Sequence, residues 1–297
     1  MYTAMEKNTA LKRLCVKVIA EDSVGYETPY LGQHGISLLL SAEHASGVNH
    51  VLVDVAQDPA ALLENFKRMN ISLSCVDAVV LTHCHYDHTQ GVAKILGEIG
   101  KKGLPVIAHP DLFREHFISD PFLRPIGVMD GDRKSDIEAA GGVLYLTSDP
   151  LNILPGLMTT GEVPRVTDFE EVGMSLYTLE NGKVKQDAMI DDLSVVANVK
   201  GKGLIIVTGC SHAGIVNISH HAMKLNAKEK IHAIIGGFHL IEASEQRIKK
   251  TASELKKIGP NWVYAGHCTG FKAQMALYNV FKDRFSPLYT GLSVEVG

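Results

Sequence analysis

Short apolar segments alternate with helical patterns along most of this chain, and this alternation strongly constrains its fold. The apolar runs have strand length and are rich in Val, Ile or Leu, which is typical of strands buried on one or both faces. They lie at residues 15–20, 35–41, 50–55, 76–81, 105–109, 143–146, 174–179, 193–199, 203–208, 231–237 and 262–267. Apolar residues at three- and four-residue spacing predict helices at 59–69, 89–100, 214–225, 243–258 and 272–285. Strands that alternate with helices predict a layered α/β protein.

The helical patterns stop in the middle of the chain. Between residues 141 and 199, short strands are separated by Gly, Pro and Asp, without a linker, charge run or low-complexity segment. We therefore expect a single domain over residues 1–297, with two α/β halves and a β-rich insertion at about 141–199. Each half contains a strand that leads directly into a histidine-bearing loop, at 76–88 and 203–212, which is consistent with a pseudo-repeat.

The composition excludes several classes of protein. The chain has 29 Lys and Arg against 33 Asp and Glu, a net charge of −4, and no basic block, so nucleic-acid binding is not expected. Its hydrophobic fraction of 45% is that of a globular protein. The five cysteines are an odd number without CxxC spacing, which argues against a disulfide framework or zinc knuckle.

No apolar run approaches the roughly 20 residues that span a bilayer, and the N-terminal segment is polar without a signal-peptide core. We therefore expect a cytoplasmic protein without a membrane partner. The sequence gives no indication of the oligomeric state.

The segment THCHYDHTQG, residues 82–91, carries the most specific chemical signal. It places His83, His85, Asp87 and His88 between a predicted strand and a predicted helix. Imidazole and carboxylate together bind borderline transition metals such as Zn, Mn and Fe. His83 and His85 leave the strand end two residues apart and so point the same way, while Asp87 and His88 fall in the turn, where they can face a second ion. The segment predicts a site for one or two divalent metal ions.

The pattern H-x-H-x-D-H after a buried strand resembles the signature of the metallo-β-lactamase superfamily. This resemblance implies a four-layer αβ/βα sandwich with one or two metals at the edge between its halves. Four further segments, QHGIS (33–37), TGCSHAG (208–214), IGGFHL (235–240) and GHCTG (266–270), are similar to one family within it. That family is named for 7,8-dihydropterin-6-methyl-4-(β-D-ribofuranosyl)aminobenzene 5′-phosphate synthase, an enzyme of methanopterin biosynthesis.

The resemblance also implies further ligands. His267 matches the last metal histidine of the superfamily, and His212, which follows another strand end, is a second additional candidate. Cys210 stands where superfamily members often have a metal-bridging Asp, and it is either a thiolate ligand or an inert core residue. Asp54 either supports the ligands, as in the superfamily, or caps the turn after it. His34 is a weaker candidate that reaches the site from an early strand.

One segment departs from the wider superfamily. Many members have a ligand histidine in a Pro-Gly-His turn before the second half, but ILPGLMTTGEVPR, residues 153–165, contains no histidine. Either His212 completes the first set of three ligands, or one position of that metal is open. His109 and His116, the two histidines between His88 and His212, match no motif.

The leading functional hypothesis is a metal-dependent enzyme that acts on a phosphorylated or pterin-like small molecule. The resemblance implies that it condenses a dihydropterin methyl diphosphate with a ribosylaminobenzene phosphate and releases diphosphate. Asp87 and His239 are the candidate catalytic residues; His239 is alternatively a metal ligand, a substrate contact or a helix-entry residue. The expected cofactor is one or two divalent ions, zinc above Mn or Fe, and the expected partner is a phosphorylated small molecule. Candidate phosphate contacts are Arg124, Arg133 and Arg165. The alternatives are a metal-hydroxide hydrolase of phosphoesters, esters or lactones, and a non-catalytic metal-binding protein.

Overall fold

The computed structural model describes residues 10–172, 175–227 and 229–297. Its strands are β1 (Arg13–Ala20), β2 (Ser37–His44), β3 (Gly47–Val53), β4 (Val76–Val80), β5 (Leu104–Ala108), β6 (His116–Ile118), β7 (Arg124–Pro125), β8 (Gly142–Leu146), β9 (Asn152–Leu154), β10 (Leu157–Thr159), β11 (Tyr177–Glu180), β12 (Lys183–Gln186), β13 (Ser194–Val199), β14 (Gly203–Thr208), β15 (Ile231–Gly237), β16 (Trp262–Gly266), β17 (Phe285–Pro287) and β18 (Ser293–Val296). Its helices are α1 (Pro59–Arg68), α2 (Tyr86–Thr89), α3 (Val92–Ile99), α4 (Lys134–Ala139), α5 (Ile215–Leu225), α6 (Glu245–Ile258) and α7 (Phe271–Phe281).

Two large sheets and one small sheet organise these strands. The first is 7-stranded in the order β18-β1-β2-β3-β4-β5-β8, and the second is 7-stranded in the order β17-β16-β15-β14-β13-β10-β9. The small sheet is 4-stranded, in the order β12-β11-β6-β7. In the first sheet β3, β4, β5 and β8 run parallel, and in the second β14, β15, β16 and β17 run parallel. The carboxyl ends of these parallel strands position the site described below.

The side-chain alternation of the strands explains why the sheets stack with helices outside. Leu38 and Leu40 on β2 face the second sheet, whereas Leu39 between them faces the helical layer. Successive side chains of a strand point to opposite faces, so each of the two large sheets buries both of its faces. The central core lies between the sheets, α1, α3 and α4 cover the first sheet, and α5, α6 and α7 cover the second.

Local signals fix the helix ends. At the start of α1, the Asp58 carboxylate accepts the Ala60 N–H and Pro59 occupies the first turn. At the start of α6, the Ser244 hydroxyl accepts the Arg247 N–H, and the helix ends at Gly259 in a left-handed conformation. These caps hold the outer helices in place over the sheets.

The predicted α/β class and four-layer arrangement are confirmed, and each predicted helix and apolar run has a counterpart among the described residues. The strand expected at 174–179 is found from Tyr177 onward; Met174 lies outside the described residues. The stretch 141–199, expected as a β-rich insertion, supplies strands to all three sheets, with β8 completing the first. Within the described residues, no helix is long and apolar enough to cross a membrane.

Candidate metal centre

The candidate ligands lie together where parallel strands of both large sheets end. His83 and His85 follow β4, Cys210 and His212 follow β14, and His267 begins a 3-10 turn directly after β16. Parallel strands in one sheet end at the same edge, and the stacking of the two sheets brings both edges together. All seven predicted ligands are buried: His83, His85, Asp87, His88, Cys210, His212 and His267.

Three imidazoles form a first donor group. His83 Nε2 lies 3.1 Å from His85 Nδ1, and His85 Nδ1 lies 3.2 Å from His212 Nε2. Burial, followed by neighbouring histidines, lowers the pKa of all three rings well below its usual value. The rings are therefore neutral at physiological pH, as nitrogen ligands must be.

A second donor group lies beside the first. Asp87 Oδ2 lies 3.2 Å from His267 Nε2 and 3.5 Å from His88 Nε2, and His88 Nε2 lies 3.1 Å from Cys210 Sγ. Burial opposes ionisation of Asp87, but His88 and then His267 outweigh it and hold the pKa of Asp87 well below its usual value. The carboxylate is therefore ionised and available to a cation.

Both groups fit a divalent transition metal. Nitrogen ligands about 2.0–2.1 Å from a tetrahedral ion are separated by roughly 3.3 Å, close to the spacing of the three-histidine group. In the second group, His267 Nε2 is buried and, within the described residues, lacks a hydrogen bond of acceptable geometry, although Asp87 Oδ2 lies 3.2 Å away. A buried nitrogen of this kind is costly unless something binds it. The donor set of imidazole, carboxylate and thiol is the set that Zn, Fe and similar ions accept.

Asp54 orients His88 from below. Its carboxylate accepts the Nδ1–H of His88 at 2.7 Å and the backbone N–H and hydroxyl of Thr82 at 2.8 Å and 2.7 Å. The Thr82 hydroxyl is also 3.0 Å from His83 Nδ1. A carboxylate on the far nitrogen of a histidine fixes the tautomer that presents Nε2. Asp54 therefore holds the candidate ligand His88 directly and contacts Thr82, which adjoins the candidate ligand His83; this arrangement is consistent with the first of the two roles predicted for it.

Two acidic residues after β1 position His267. Asp22 Oδ2 accepts the Nδ1–H of His267 at 2.5 Å, and Glu21 accepts its backbone N–H. Burial acts in the opposite direction, but hydrogen bonds from His267 and His34 hold the pKa of Asp22 well below its usual value. His267 is thereby anchored with Nε2 directed at Asp87.

A further histidine extends the first donor group outward. His116 Nε2 lies 2.9 Å from His85 Nε2, and its Nδ1–H donates to Asp187 at 2.7 Å. Arg114 holds Asp187 with two hydrogen bonds, of 2.6 Å and 3.0 Å. With Nδ1 of His85 directed at the donor group, its Nε2–H donates to His116. This chain fixes the orientation of His85.

Several site residues occupy a backbone conformation that side chains rarely adopt. Asp54, Ser211, His239 and His267 have positive φ values of 57°, 62°, 41° and 50°. Such positions cost of order 1 kcal/mol or more each and cluster at functional sites. They turn the chain sharply at the strand ends and aim these side chains into the site.

The donor groups border a cleft of about 280 Å³. His34, Arg124 and His239 line it, and His34 Nε2 lies 3.5 Å from Asp87 Oδ2. The ring of His239 lies 4.1 Å from that of His212, centroid to centroid. Of the other two arginines predicted to contact phosphate, Arg165 donates to the His212 carbonyl at 2.7 Å. Arg133 pairs instead with Glu115 and Asp130.

Sequence reasoning missed His116, Asp187, Glu21 and Asp22. Glu21 and Asp22 carried a signal in the sequence, because carboxylates that directly follow a strand are candidates for contacts with a site at that end of the sheet. His116 and Asp187 carried none. His116, on β6, contacts His85, and Asp187 contacts His116 from directly after β12, so both contacts depend on the pairing of β6, β11 and β12.

Comparisons with known proteins identify the family. Residues 49–120 match the sequence model described as "Beta-lactamase superfamily domain". The chain is 39% identical over 283 residues to the 7,8-dihydropterin-6-methyl-4-(beta-D-ribofuranosyl)-aminobenzene-5'-phosphate synthase of Methanocaldococcus jannaschii, covering 94% of this chain and 96% of that protein. The chain belongs to this synthase-like family of the metallo-β-lactamase superfamily. The resemblance predicted from the motifs is confirmed.

A second related sequence and a solved structure are also similar to this synthase-like chain. An uncharacterized protein of the same organism is 30% identical over 258 residues, 87% of this chain and 91% of that protein. The crystal structure of a metal-dependent hydrolase of the beta-lactamase superfamily matches with a TM-score of 0.80 and 24% identity, over 96% of this chain and 99% of that one. This likeness shows the fold. Membership in the synthase-like family makes the chain an enzyme, and the superfamily fold with its His and Asp groups indicates divalent-metal binding.

Proposed function

We propose that this enzyme is a metal-dependent synthase that joins a dihydropterin methyl diphosphate to a ribosylaminobenzene phosphate and releases diphosphate. The observation that carries the proposal is the 39% identity to a synthase of that product over 94% of the chain. Two adjacent donor groups beside one cleft support it, because the departing diphosphate needs concentrated positive charge. The cytoplasmic location stays a prediction from the sequence.

The donor groups divide the proposed metal ligands into two sets. His83, His85 and His212 would hold one ion, and Asp87, His88, Cys210 and His267 would hold the other. Zinc fits this mixture of imidazole, carboxylate and thiol; Mn and Fe are the alternatives. Burial raises the pKa of the Cys210 thiol, so Cys210 binds as a thiolate only when a cation displaces its proton. Bound ions would supply positive charge to the oxygens of the leaving diphosphate.

The proposed reaction is a displacement at the pterin methylene. The aryl amine nitrogen forms a C–N bond with its electron pair, and the C–O bond to diphosphate breaks with its electrons leaving on oxygen. The amine must also lose a proton. His239 lines the cleft beside His212 and is the proposed acceptor of that proton. Asp87 contributes a negative charge at the base of the cleft, and its carboxylate holds His267 in place there.

Arg124 is the proposed contact for the phosphate of the ribosylaminobenzene substrate. It lines the cleft from strand β7, and no hydrogen bond or ion pair occupies its guanidinium among the described residues. A guanidinium binds phosphate through paired N–H donors. The other two candidates are already engaged, since Arg165 braces the His212 loop and Arg133 pairs with surface carboxylates.

The test is a synthesis assay with zinc-, manganese- and iron-loaded protein and both substrates. We expect the condensed product and diphosphate in equal amounts, measured by mass spectrometry and a diphosphate assay. His83→Ala should abolish both, while His232→Ala, on a half-exposed histidine away from the cleft, should not.

Reactions with one substrate omitted separate the alternatives. Diphosphate release from the pterin substrate alone, at the rate of the full reaction, would mean a hydrolase. Stoichiometric metal without turnover of either substrate would mean a non-catalytic metal-binding protein. Either result would overturn the proposed synthase.

A further inference from the structure

The cleft has two chemically distinct walls above the donor groups. Strands β6 and β7 and the loop after them form one wall, with Ile118, Arg124 and Ile126. The loop after β15 forms the other wall, with Ile241 and Glu242. One wall therefore carries a cation and the other an anion, each beside aliphatic side chains.

Glu242 is an unoccupied acceptor in this cleft. Among the described residues, its carboxylate forms no hydrogen bond and no ion pair. The other two carboxylates that line the cleft are engaged: Asp22 with His267 and His34, and Asp87 with His267 and His88. Glu242 is thus the carboxylate that remains available to a ligand.

The loop that carries Glu242 is held firmly. The N–H groups of Leu240 and Ile241 donate to the Cys268 carbonyl at 3.0 Å and 3.1 Å. Gly270 packs so closely that a Cβ there would lie 2.8 Å from the Ile241 Cα. Leu240 and Ile241 are thereby fixed relative to His267, and Glu242 follows them directly in the chain. A ligand therefore meets a preformed surface.

We propose that Glu242 recognises the pterin ring and thereby decides which substrate occupies which wall; this inference rests on the proposed synthase function. The pyrimidinone edge of a pterin presents a ring N–H and an amino group side by side, and a carboxylate accepts both in parallel. Ile241 supplies an apolar surface for the flat ring. A phosphate is repelled by Glu242 and attracted by Arg124, so the two substrates sort to opposite walls.

The experiment compares two ligands that differ at the amino group. 6-Hydroxymethyl-7,8-dihydropterin and the corresponding dihydrolumazine, in which an oxygen replaces the 2-amino group, are titrated into the full-length, metal-loaded protein and followed by fluorescence. The wild type should prefer the pterin. Glu242→Gln should weaken pterin binding about 10- to 100-fold, because a charge-assisted contact is lost. The variant should bind the dihydrolumazine at least as tightly as the wild type does, because the N–H of the introduced amide donates to the oxygen that replaces the 2-amino group. Glu98→Gln, on an exposed glutamate of helix α3, is the matched control and should leave both affinities unchanged.

The outcomes separate this inference from the proposed function. If the wild type makes product and Glu242→Gln keeps the wild-type preference for the pterin, the role of Glu242 is overturned and the synthase stands. If the predicted exchange of preference occurs but no product forms with both substrates, Glu242 recognises the pterin and the synthase reaction is wrong. If the wild type binds neither ligand but makes product, the role of Glu242 is overturned and the synthase stands. If it binds neither ligand and makes no product, both proposals fail.

Discussion

Removing the charge of Asp54 tests how the second donor group is held. Asp54 is fully buried and accepts hydrogen bonds from Thr82 and His88. In Asp54→Asn, the amide oxygen still accepts a donor from Thr82, and Asn tolerates the φ of 57° at this position. With the amide oxygen on the Thr82 N–H, the amide nitrogen takes the place of Oδ2, which accepts both the Nδ1–H of His88 and the Thr82 hydroxyl. The hydroxyl can rotate and accept from the amide, whereas the Nδ1–H of His88 has no other acceptor there. The variant therefore leaves one buried donor without an acceptor while it keeps the local backbone.

The expected magnitudes follow from that single loss. A buried donor without an acceptor costs about 1–3 kcal/mol, so the free energy of unfolding of the metal-free protein should fall by that amount. Loss of the outer carboxylate of a metal-binding histidine typically lowers metal affinity about 10- to 100-fold. We expect this loss for the ion at Asp87 and His88, with the three-histidine ion little affected.

Competition with a chromophoric chelator measures the two metal affinities, and urea unfolding of the chelated protein measures stability. Asp149→Asn is the control, because this exposed carboxylate has no side-chain partner in the part of the chain that the structure describes. If Asp54→Asn binds both ions with parental affinity and unfolds at the parental urea concentration, the carboxylate does not hold His88 as described.

Three other substitutions test separate parts of the centre. Gly209→Ala would place a Cβ 2.2 Å from Thr82 Oγ1 and 2.8 Å from Asp54 Oδ2, so the metal content measured by atomic absorption should fall. Gly97→Ala is the control and should not lower it, because no atom of the described residues outside the local helix backbone lies within 4 Å of the added Cβ. His267→Ala should retain about half of the bound metal and lose most activity, and His83→Ala should lose the other half; parental metal content in His267→Ala would refute the second site. Burial acts in the opposite direction, but hydrogen bonds from His116 and Arg114 hold the pKa of Asp187 below its unfolded value of about 4. Its stabilisation is therefore present above about pH 4 and lost as the pH falls, and Asp187→Asn should flatten the acid limb of the unfolding free energy; an unchanged limb would contradict this.

The sequence predicted a layered α/β protein and placed candidate ligands at strand ends, because both depend on local patterns. Strands such as β14 carry continuous apolar runs, since sheet and helices bury both faces. The ligands follow strand ends directly, and their parallel arrangement brings them together without further information. The position of each residue directly after a predicted strand was therefore enough to place His83 and His212 in one candidate site.

The remaining elements lacked such patterns. Strand β12 is exposed along its whole length, so no burial selects an apolar run there, and helix α4 has only Ile137 buried. His116 joins the site because β6 pairs with β11, two short strands far apart in sequence. Contacts of this kind depend on tertiary pairing, which single-sequence periodicity does not encode.

The position of β18 along the chain determines when strand β1 can acquire its outer neighbour during synthesis. Its residues pair with β1 within the first sheet, Leu14 opposite Val296, although the whole second sheet lies between them in sequence. While the chain is being synthesised, the outer edge of β1 therefore stays unpaired until β18 emerges from the ribosome. Until then that edge is open to other chains, which makes translation and early folding the period of greatest exposure to aggregation.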